Sequence, residues 1–578
     1  MADTAFTSAG SGPWSTVGTW TAGASYPGED GTDTATIASG HNVTLDVADF
    51  AGAISLVTVQ SGGTLTIGVN QTAADIVALT VDAGGVCVFA TGASYTLRLS
   101  GAITVNGTLT MDASGAGSKH TLEFAANSSV GATATITIKG RSKTVATQFD
   151  GAPNGTTVTV DDNTGWEDGD YLCGQKTTSV RDRKAATLAS GKTYACALSA
   201  SLQDGGRCLN LTRSAVLIGN TSKALTVAAG ATVSALEYVE LQNCHLADSS
   251  TLAMLTGISV YDTANQYANI ICGANKSLVD CVGYLSTDPR MIGMVNGTAS
   301  AQVTLTRCIL LSSSHGALCM TAQSTVCLTC DDCEASGASL VWGYPAQGAG
   351  VSVFYARGCH VWGCPTVAGI RPVSACGYLD NCVFGKDIGG NDSSNTTDID
   401  ITLSNALLAL DHCLLTGGTP VSVGTGNTCP RVVSTNHGQV SGARVEYQRY
   451  GTCTKSTAAD FTAGVADVID PSSASYPFRY SIWFPCDTGK TPTLTFNQQA
   501  AGTLGACTVA LGYSRCGLTA IATGGTITPD TDGGVTQHSV TFTGTTDCAG
   551  EVEVIVSVLD GDGSDTLSIG DIAVSGNL

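Results

Sequence analysis

The sequence predicts an all-β protein: a right-handed parallel β-helix with an antiparallel β-sandwich of jelly-roll type at its C-terminal end. Three observations predict it. A short phrase ending in cysteine returns through the middle of the chain at a spacing mostly in the twenties. Within the phrase apolar and polar residues alternate, the period-two pattern of strand, and no stretch keeps the 3.6 period of helical repeats. The last hundred residues change character and carry about eight strands in an antiparallel style.

Residues 1–13 are small and polar, which reads as a flexible or docking arm. Residues 14–230 form a glycine-rich series with units such as Val59-Gln-Ser-Gly-Gly-Thr-Leu-Thr-Ile67 and Val81-Asp-Ala-Gly-Gly-Val-Cys-Val-Phe89, each an apolar alternation broken by a glycine turn. These units begin 22 and 24 residues apart as far as Val105, so this part is itself expected to be a β-solenoid.

Residues 231–416 carry the cysteine phrase, for example Leu241-Gln-Asn-Cys244, Leu305-Thr-Arg-Cys308 and Leu379-Asp-Asn-Cys382. Its seven cysteines, Cys244, Cys281, Cys308, Cys333, Cys359, Cys382 and Cys413, fall 37, 27, 25, 26, 23 and 31 residues apart. A recurring phrase of this length marks coils that stack, and the cysteines are expected as one internal ladder of small buried hydrophobes. At about 4.8 Å per coil the seven coils make a rod of roughly 34 Å. Residues 417–474 lose the phrase and read as a cap or linker. Residues 475–578 begin with the aromatic strand Phe478-Arg-Tyr-Ser-Ile-Trp-Phe484 and read as the jelly roll.

Composition narrows the function classes. Only 13% of residues are charged, and 26 basic against 47 acidic residues give a net charge of −21, which argues against a nucleic-acid partner. No run of 18 apolar residues predicts a membrane span, and the first residues lack the basic start and apolar core of an export signal. The 23 cysteines are an odd number in a long chain, so reduced core thiols are expected in place of a disulfide scaffold.

Three phrases in order carry a resemblance. The run from Trp14 to Ile67 contains WSTVGTW, YPGEDGTDTATIASGHNVTLD and VTVQSGGTLTI; Gly165-Trp-Glu-Asp-Gly-Asp170 follows, and then NLTRSAVLIG from Asn210 to Gly219. Together they resemble the eight-glycine domain that begins β-helix proteins, including cell-surface hyaluronan-processing proteins. The start Ala2-Asp-Thr-Ala-Phe-Thr-Ser8 is similar to the arms of surface proteins of tailed bacteriophages, tail spikes and head-attached fibres. This resemblance implies a virion surface protein made in the host cytoplasm. It would be a homotrimer joined to other virion proteins through the arm and adhering to a host surface glycan. A polysaccharide depolymerase, hydrolase or lyase, is the competing reading, and a purely architectural head-decoration protein the third.

Candidate site residues follow from the chemistry each reading needs. Cleavage of a glycan uses two carboxylates, and the dense acidic group is Asp331, Asp332 and Glu334. Alternation places Asp332 with Glu334 on one face, but no histidine, tyrosine or arginine in that phrase is placed to tune them, so binding without cutting is expected. The residues preceding the ladder cysteines, among them Asp280, Arg307 and Asp332, are expected to stack as an alternating charge ladder on the outer wall. Sugars stack on aromatic rings, which singles out Trp342, Tyr344, Tyr355 and Trp362 as a glycan-binding wall or as trimer contacts. The spacing of Cys327, Cys330 and Cys333, with Cys359, His360 and Cys364, resembles a zinc site, but the ladder already accounts for Cys333. Asp560, Asp562 and Asp571 echo a calcium loop, yet Asp565 occupies the place where that loop needs glycine, so a polar turn is expected. No cofactor is expected.

Overall fold

The computed structural model describes residues 4–577 except 22–23, 178–180, 262–268, 274, 286–289, 295–301, 322–326, 344–351, 365–367, 372–374, 393–394, 402–406, 412, 417–418, 424–430, 436–454, 462–463, 470–477, 484–490, 502–506, 514–519, 528–531, 542–550 and 559–565. It is an all-β parallel solenoid, whose described residues include a single short 3-10 turn, Val17–Thr19. One sheet holds fifteen parallel strands, one per coil, from Gly12–Pro13 to Arg431–Thr435, a stack of about 67 Å. A second sheet of 22 strands supplies the rest of the coil. Its longer strands serve two faces: Val239–Asp248 pairs first with Ser259–Tyr261 and then with Ile270–Cys272 of the next coil.

The two expected solenoids are therefore one. Thr135–Gly140 of the glycine-rich series pairs directly with Thr232–Glu237. The stack also begins earlier than the arm allowed. Ala5–Thr7 lies parallel to Thr32–Ile37, and Phe6 is buried with Trp14, Trp20 and Phe50 as an aromatic plug at the first coil. Residues 5–13 are thus the first coil and not a free arm, because burying Phe6 outweighs the freedom of a short polar segment. The cap expected at 417–474 contributes two more rungs, Thr419–Val423 and Arg431–Thr435. Its later strands Lys455–Phe461 and Gly464–Ile469 join a five-stranded antiparallel sheet with Thr566–Asn577, Thr491–Ala501 and Asp532–Thr541. A second antiparallel sheet contains Phe478–Trp483, Glu551–Val558, Cys507–Tyr513 and Ala520–Ile527.

Turn chemistry explains the two styles of coil. In the glycine-rich coils Gly84 has φ +81°, and a Cβ on Gly85 would come within 2.6 Å of the Val59 carbonyl oxygen, so stacked turns admit no side chain there. In the cysteine coils the corner residues Tyr238, Asp280, Arg307, Asp332 and Asn381 take φ between 51° and 55°, with Gly257 and Gly358 at 66° and 61°. Left-handed backbone costs a non-glycine residue about 1–2 kcal/mol. It is held here because the corner N–H groups from Tyr238 to Gly358 donate to the next coil, as Arg307 N does to Asp331 O at 2.9 Å and Asp332 N to Arg357 O at 2.8 Å.

The sharp corner leaves room inside for a small side chain, and a thiol fits best. Cys308 Sγ donates to Leu278 O and Thr306 O at 3.5 and 3.7 Å, and Cys333 and Cys359 repeat the arrangement. All seven predicted ladder cysteines are buried and none forms a disulfide. Six share one ladder. Cys244 does not: the register places Val239 and Ile258 beneath Cys281, while Cys244 follows Asn243 (φ 52°) at the opposite corner of the coil, the corner that Cys364 occupies after Gly363. Any left-handed corner followed by a small buried residue produces the same phrase, which is why the 37-residue gap is anomalous.

Residues 141–213 leave the solenoid altogether. They form a compact module of antiparallel strands with its own core of Phe149, Val158, Trp166, Leu172, Tyr194 and Leu202, and the chain then re-enters the stack at Ala215–Val227.

Candidate functional site

The module lies against the outer wall of the coils. Val145, Cys173, Leu209 and Leu211 pack on the outward side chains Val282, Tyr284, Ile309, Leu311 and Trp362. Trp362 is 0% exposed under this cover, so it belongs neither to a glycan-binding wall nor to a trimer face. The part of that surface around Trp362 is covered by the chain itself.

Two of the resemblance phrases build the joint. Trp166 of the Gly165–Asp170 turn donates from Nε1 to Thr144 O at 2.7 Å. Asp170 is buried and accepts both Lys143 Nζ, at 3.0 and 2.9 Å, and Asn210 Nδ2 at 2.6 Å. Burial holds the Lys143 ammonium below its ordinary range, with Asp170 opposing. Arg213, also fully buried, donates to Gly257 O and Asn210 O, while its backbone N–H donates to Glu240. Burial brings its guanidinium down to about 10 against the pull of Glu240 and Asp170. Unpaired, either cation would be expensive inside protein; the Lys143–Asp170 pair closes the module on itself, and Arg213 ties its end to Gly257 and Glu240 of the coils.

Where the module edge meets the left-handed corners, a groove of about 640 Å³ opens, within the roughly 300–1,000 Å³ of ligand sites. Its floor is the corner ladder Asp280, Arg307, Asp332, Gly358 and Asn381 with Glu334 and His360 of the adjoining strands; Lys143 and Arg207 form the module side. Asp332 and Glu334 line one groove, but not by alternation: the left-handed corner at Asp332 breaks it, so that Asp331 points outward while Cys330 and Cys333 both lie in the core. Arg207 Nε donates to Glu334 Oε2 at 3.0 Å and its NH2 group grips the other oxygen, so both oxygens of the buried Glu334 are engaged. His360 stands on the next coil at the same register as Glu334. Its Nδ1 is buried without a hydrogen-bond partner among the described residues, and burial holds the imidazole below its ordinary 6.5, with Glu334 opposing. No histidine, tyrosine or arginine of the acidic phrase itself contacts the pair; the groups that do come from the neighbouring coil and from the module, 127 residues away in the case of Arg207.

The charge ladder is present in altered form. Arg307 pairs bidentately with Asp280 below it, at 2.7 and 3.0 Å. Asp331 faces away from the groove and pairs with Arg357 at 2.8 Å. No hydrogen bond reaches the Asp332 carboxylate among the described residues, and its Oδ1 leans over Gly358, where a Cβ would approach to 2.4 Å. Chemically the groove offers one open carboxylate, one neutral imidazole and guanidinium edges, a set that binds hydroxyl groups. Hydrolysis needs a second carboxylate free to hold and deliver a proton, and Glu334 is clasped by Arg207.

Tyr355 is half-buried on the outer face of the fifteen-stranded sheet, next to Tyr378 with ring centroids 6.4 Å apart. Trp342 lies on the strand Glu334–Gly343, but its side chain, like Tyr344, Asp560 and Asp562, lies outside the described residues; Asp571 lies on the strand Thr566–Asn577. Among the described residues no group of three His, Cys, Asp or Glu could hold a metal ion, and no helix is long and apolar enough to cross a membrane. Cys330, Cys333, Cys359 and Cys364 are buried in the core.

No protein-family model matches the chain, and no curated protein does. Among solved structures, the tailspike protein gp49 of Pseudomonas phage LKA1 aligns at 12% identity over 92% of this chain and 90% of that one, with a TM-score of 0.21. The tailspike protein gp49 of Acinetobacter baumannii bacteriophage Fri1, a capsular polysaccharide depolymerase, aligns at 10% identity over 95% and 82%, with a TM-score of 0.23. A structure described as "CBM4 structure and function" aligns at 17% identity over 21% of this chain and 87% of that one, with a TM-score of 0.17. At such TM-scores these are likenesses only, and no residue role is taken from them.

Proposed function

We propose that this chain is a virion-surface rod of the tail-spike or fibre kind that adheres to a host surface glycan and does not cleave it. The observation that carries the adhesive role is the groove between module and corner ladder, preformed, polar, and open to hydroxyl-rich ligands through Asp332, His360 and Arg307. The fold supplies what a spike requires, a stack of about 67 Å set by backbone pairing. Placement on a virion rests on the resemblance of residues 2–8 to phage surface proteins. In this reading the eight-glycine-like start forms the first coils, the C-terminal antiparallel sheets close as a jelly roll, and three rods associate side by side.

The depolymerase stays as the second reading for one reason: Asp332 and Glu334 line one groove. Both are tested by presenting the purified chain to an array of bacterial capsular and lipopolysaccharide glycans, then assaying bound glycans for new reducing ends and unsaturated sugars. Retention without products, weakened in Asp332→Asn, is expected. Products that vanish in Asp332→Asn would establish the depolymerase instead, and retention of no glycan would remove both.

A further inference from the structure

Outside the groove, one surface of the same three coils carries aromatic rings in register. Tyr355 and Tyr378 are direct partners in the parallel ladder, both half-buried and both on the outer face of the fifteen-stranded sheet. Thr329 occupies the same position one coil earlier. Two residues further along these strands comes a second outward row, Asp331, Arg357 and Asp380, again in register. Arg357 is 60% exposed and bonded to Asp331, which leaves most of its guanidinium edge toward solvent.

The chain then turns the corner. Asp332, Gly358 and Asn381 follow Asp331, Arg357 and Asp380 directly, and all three line the groove. The outer contour of one coil therefore reads Tyr355, Arg357, corner Gly358, His360, with Tyr355 and Arg357 on the strand Ser352–Arg357 at about 3.3 Å per residue. From Tyr355 to Gly358 on the groove floor is roughly 10 Å along the backbone, with the paired Arg357 guanidinium between. This deepens the glycan-binding reading and rests on it.

We propose that the groove is one end of a longer track, and that a polysaccharide seated in it continues round the corner past Arg357 to stack on Tyr355 and Tyr378. The ligand is then an extended glycan chain, not a single sugar. The chemistry suits the two halves differently. The groove offers acceptors and donors to hydroxyls, while the tyrosines offer flat apolar faces to the C–H side of a sugar ring, with their own hydroxyls at the rim. Rings repeat along the stack with the coils, so adjacent sugars can meet adjacent rings.

The experiment uses the full chain and the array glycan it retains, partly hydrolysed and sized into fragments from two sugars upward. Wild type should bind long fragments about tenfold or more tighter than disaccharides. Tyr355→Ala/Tyr378→Ala should remove about that tenfold and leave disaccharide binding unchanged, whereas Asp332→Asn should weaken both. Because losing two rings can loosen the sheet, Thr329→Lys, which sets a long side chain on the adjoining rung without deleting any packing, should reproduce the loss on long fragments. Equal affinity of all fragment lengths, or double-variant and Thr329→Lys proteins that hold long fragments as wild type does, would overturn the track while leaving groove binding intact. Loss of self-association with unchanged glycan affinity would assign the tyrosines to an interface between copies and also overturn it. Should wild type retain no array glycan, the adhesive reading fails and takes the track with it.

Discussion

Lys143→Met tests whether the module is held together by its internal buried ion pair. Lys143 is 1% exposed and Asp170 3%, and the substitution deletes two charge-assisted hydrogen bonds while leaving Asp170 its bonds from Asn210 Nδ2 and the Glu167 N–H. Removing one partner of a buried pair costs about 3–5 kcal/mol, mostly as the penalty on the charge left behind. With two donors remaining on Asp170, the lower figure of about 3 kcal/mol applies, a factor of roughly 100 in the equilibrium for opening. The loss should stay within the module, whose core is separate from that of the coils. Amide hydrogen exchange read by mass spectrometry gives both parts of the answer. Peptides within 144–212 should lose about a hundredfold of protection, and peptides of the early coils within 53–113 should lose none. Lys143→Met/Asp170→Leu should recover most of it, since an apolar pair of similar volume replaces a buried ion pair at little expense. Protection that changes less than about threefold, or a double variant no better than the single, would refute the latch.

Three further outcomes are expected. Burial pushes the thiols of Cys244, Cys272 and Cys364 up to about 12, so these three should resist iodoacetamide at pH 8 in the folded protein and react only in denaturant, as mass spectrometry of their peptides will show. Burial also holds His360 and His120 below their ordinary 6.5; the unfolded chain then takes its protons first, and the urea midpoint should be level above about pH 6.5 and fall below it. Gly358→Ala, at φ +61° with its Cβ 2.4 Å from Asp332 Oδ1, should lose about 1–2 kcal/mol of stability in urea melts and should weaken glycan binding by displacing that carboxylate.

What was legible in the sequence is what the solenoid repeats. Coil length, strand alternation, buried cysteines and outward corner charges all recur every twenty-odd residues, so Asp280, Arg307 and Asp332 are placed correctly before any coordinates. What was illegible belongs to single events. Nothing repeats in residues 141–213, and the alternation in Tyr171–Gln175 looks like any other strand, although it pairs antiparallel with Arg181–Ala185 and Arg207–Asn210. One signal did exist: the units of 22 and 24 residues stop after Val105 and no cysteine phrase begins before Leu241, a gap too long for regular coils. The joint was visible as Trp166, Asp170, Asn210 and Arg213, but recognised only as a family phrase, when large polar residues so close to tryptophan and leucine implied buried pairing. Trp362 misled for a physical reason. Alternation correctly sets it outside the coil, and outside the coil is not outside the protein once a module covers it.

The same cover changes what the net charge means. A chain at −21 repels an anionic ligand on average, but the field that matters is local, since charges beyond about 8–10 Å are screened at physiological salt. In the groove lining Arg207 pairs with Glu334, Arg307 with Asp280 and Lys143 with the buried Asp170, so that Asp332 is left without an ion-pair partner among the described residues, with His360 held toward its neutral form. Two of the three cations are drawn there by the module, Lys143 to Asp170 and Arg207 to Glu334, and neither phrase of the repeat supplies them. The module that buries an apolar wall thereby also brings a cation, Arg207, to Glu334 at this acidic corner. The groove is therefore a product of docking: the corner ladder contributes Asp332 and Arg307, the module contributes the opposing side, and neither alone encloses a site.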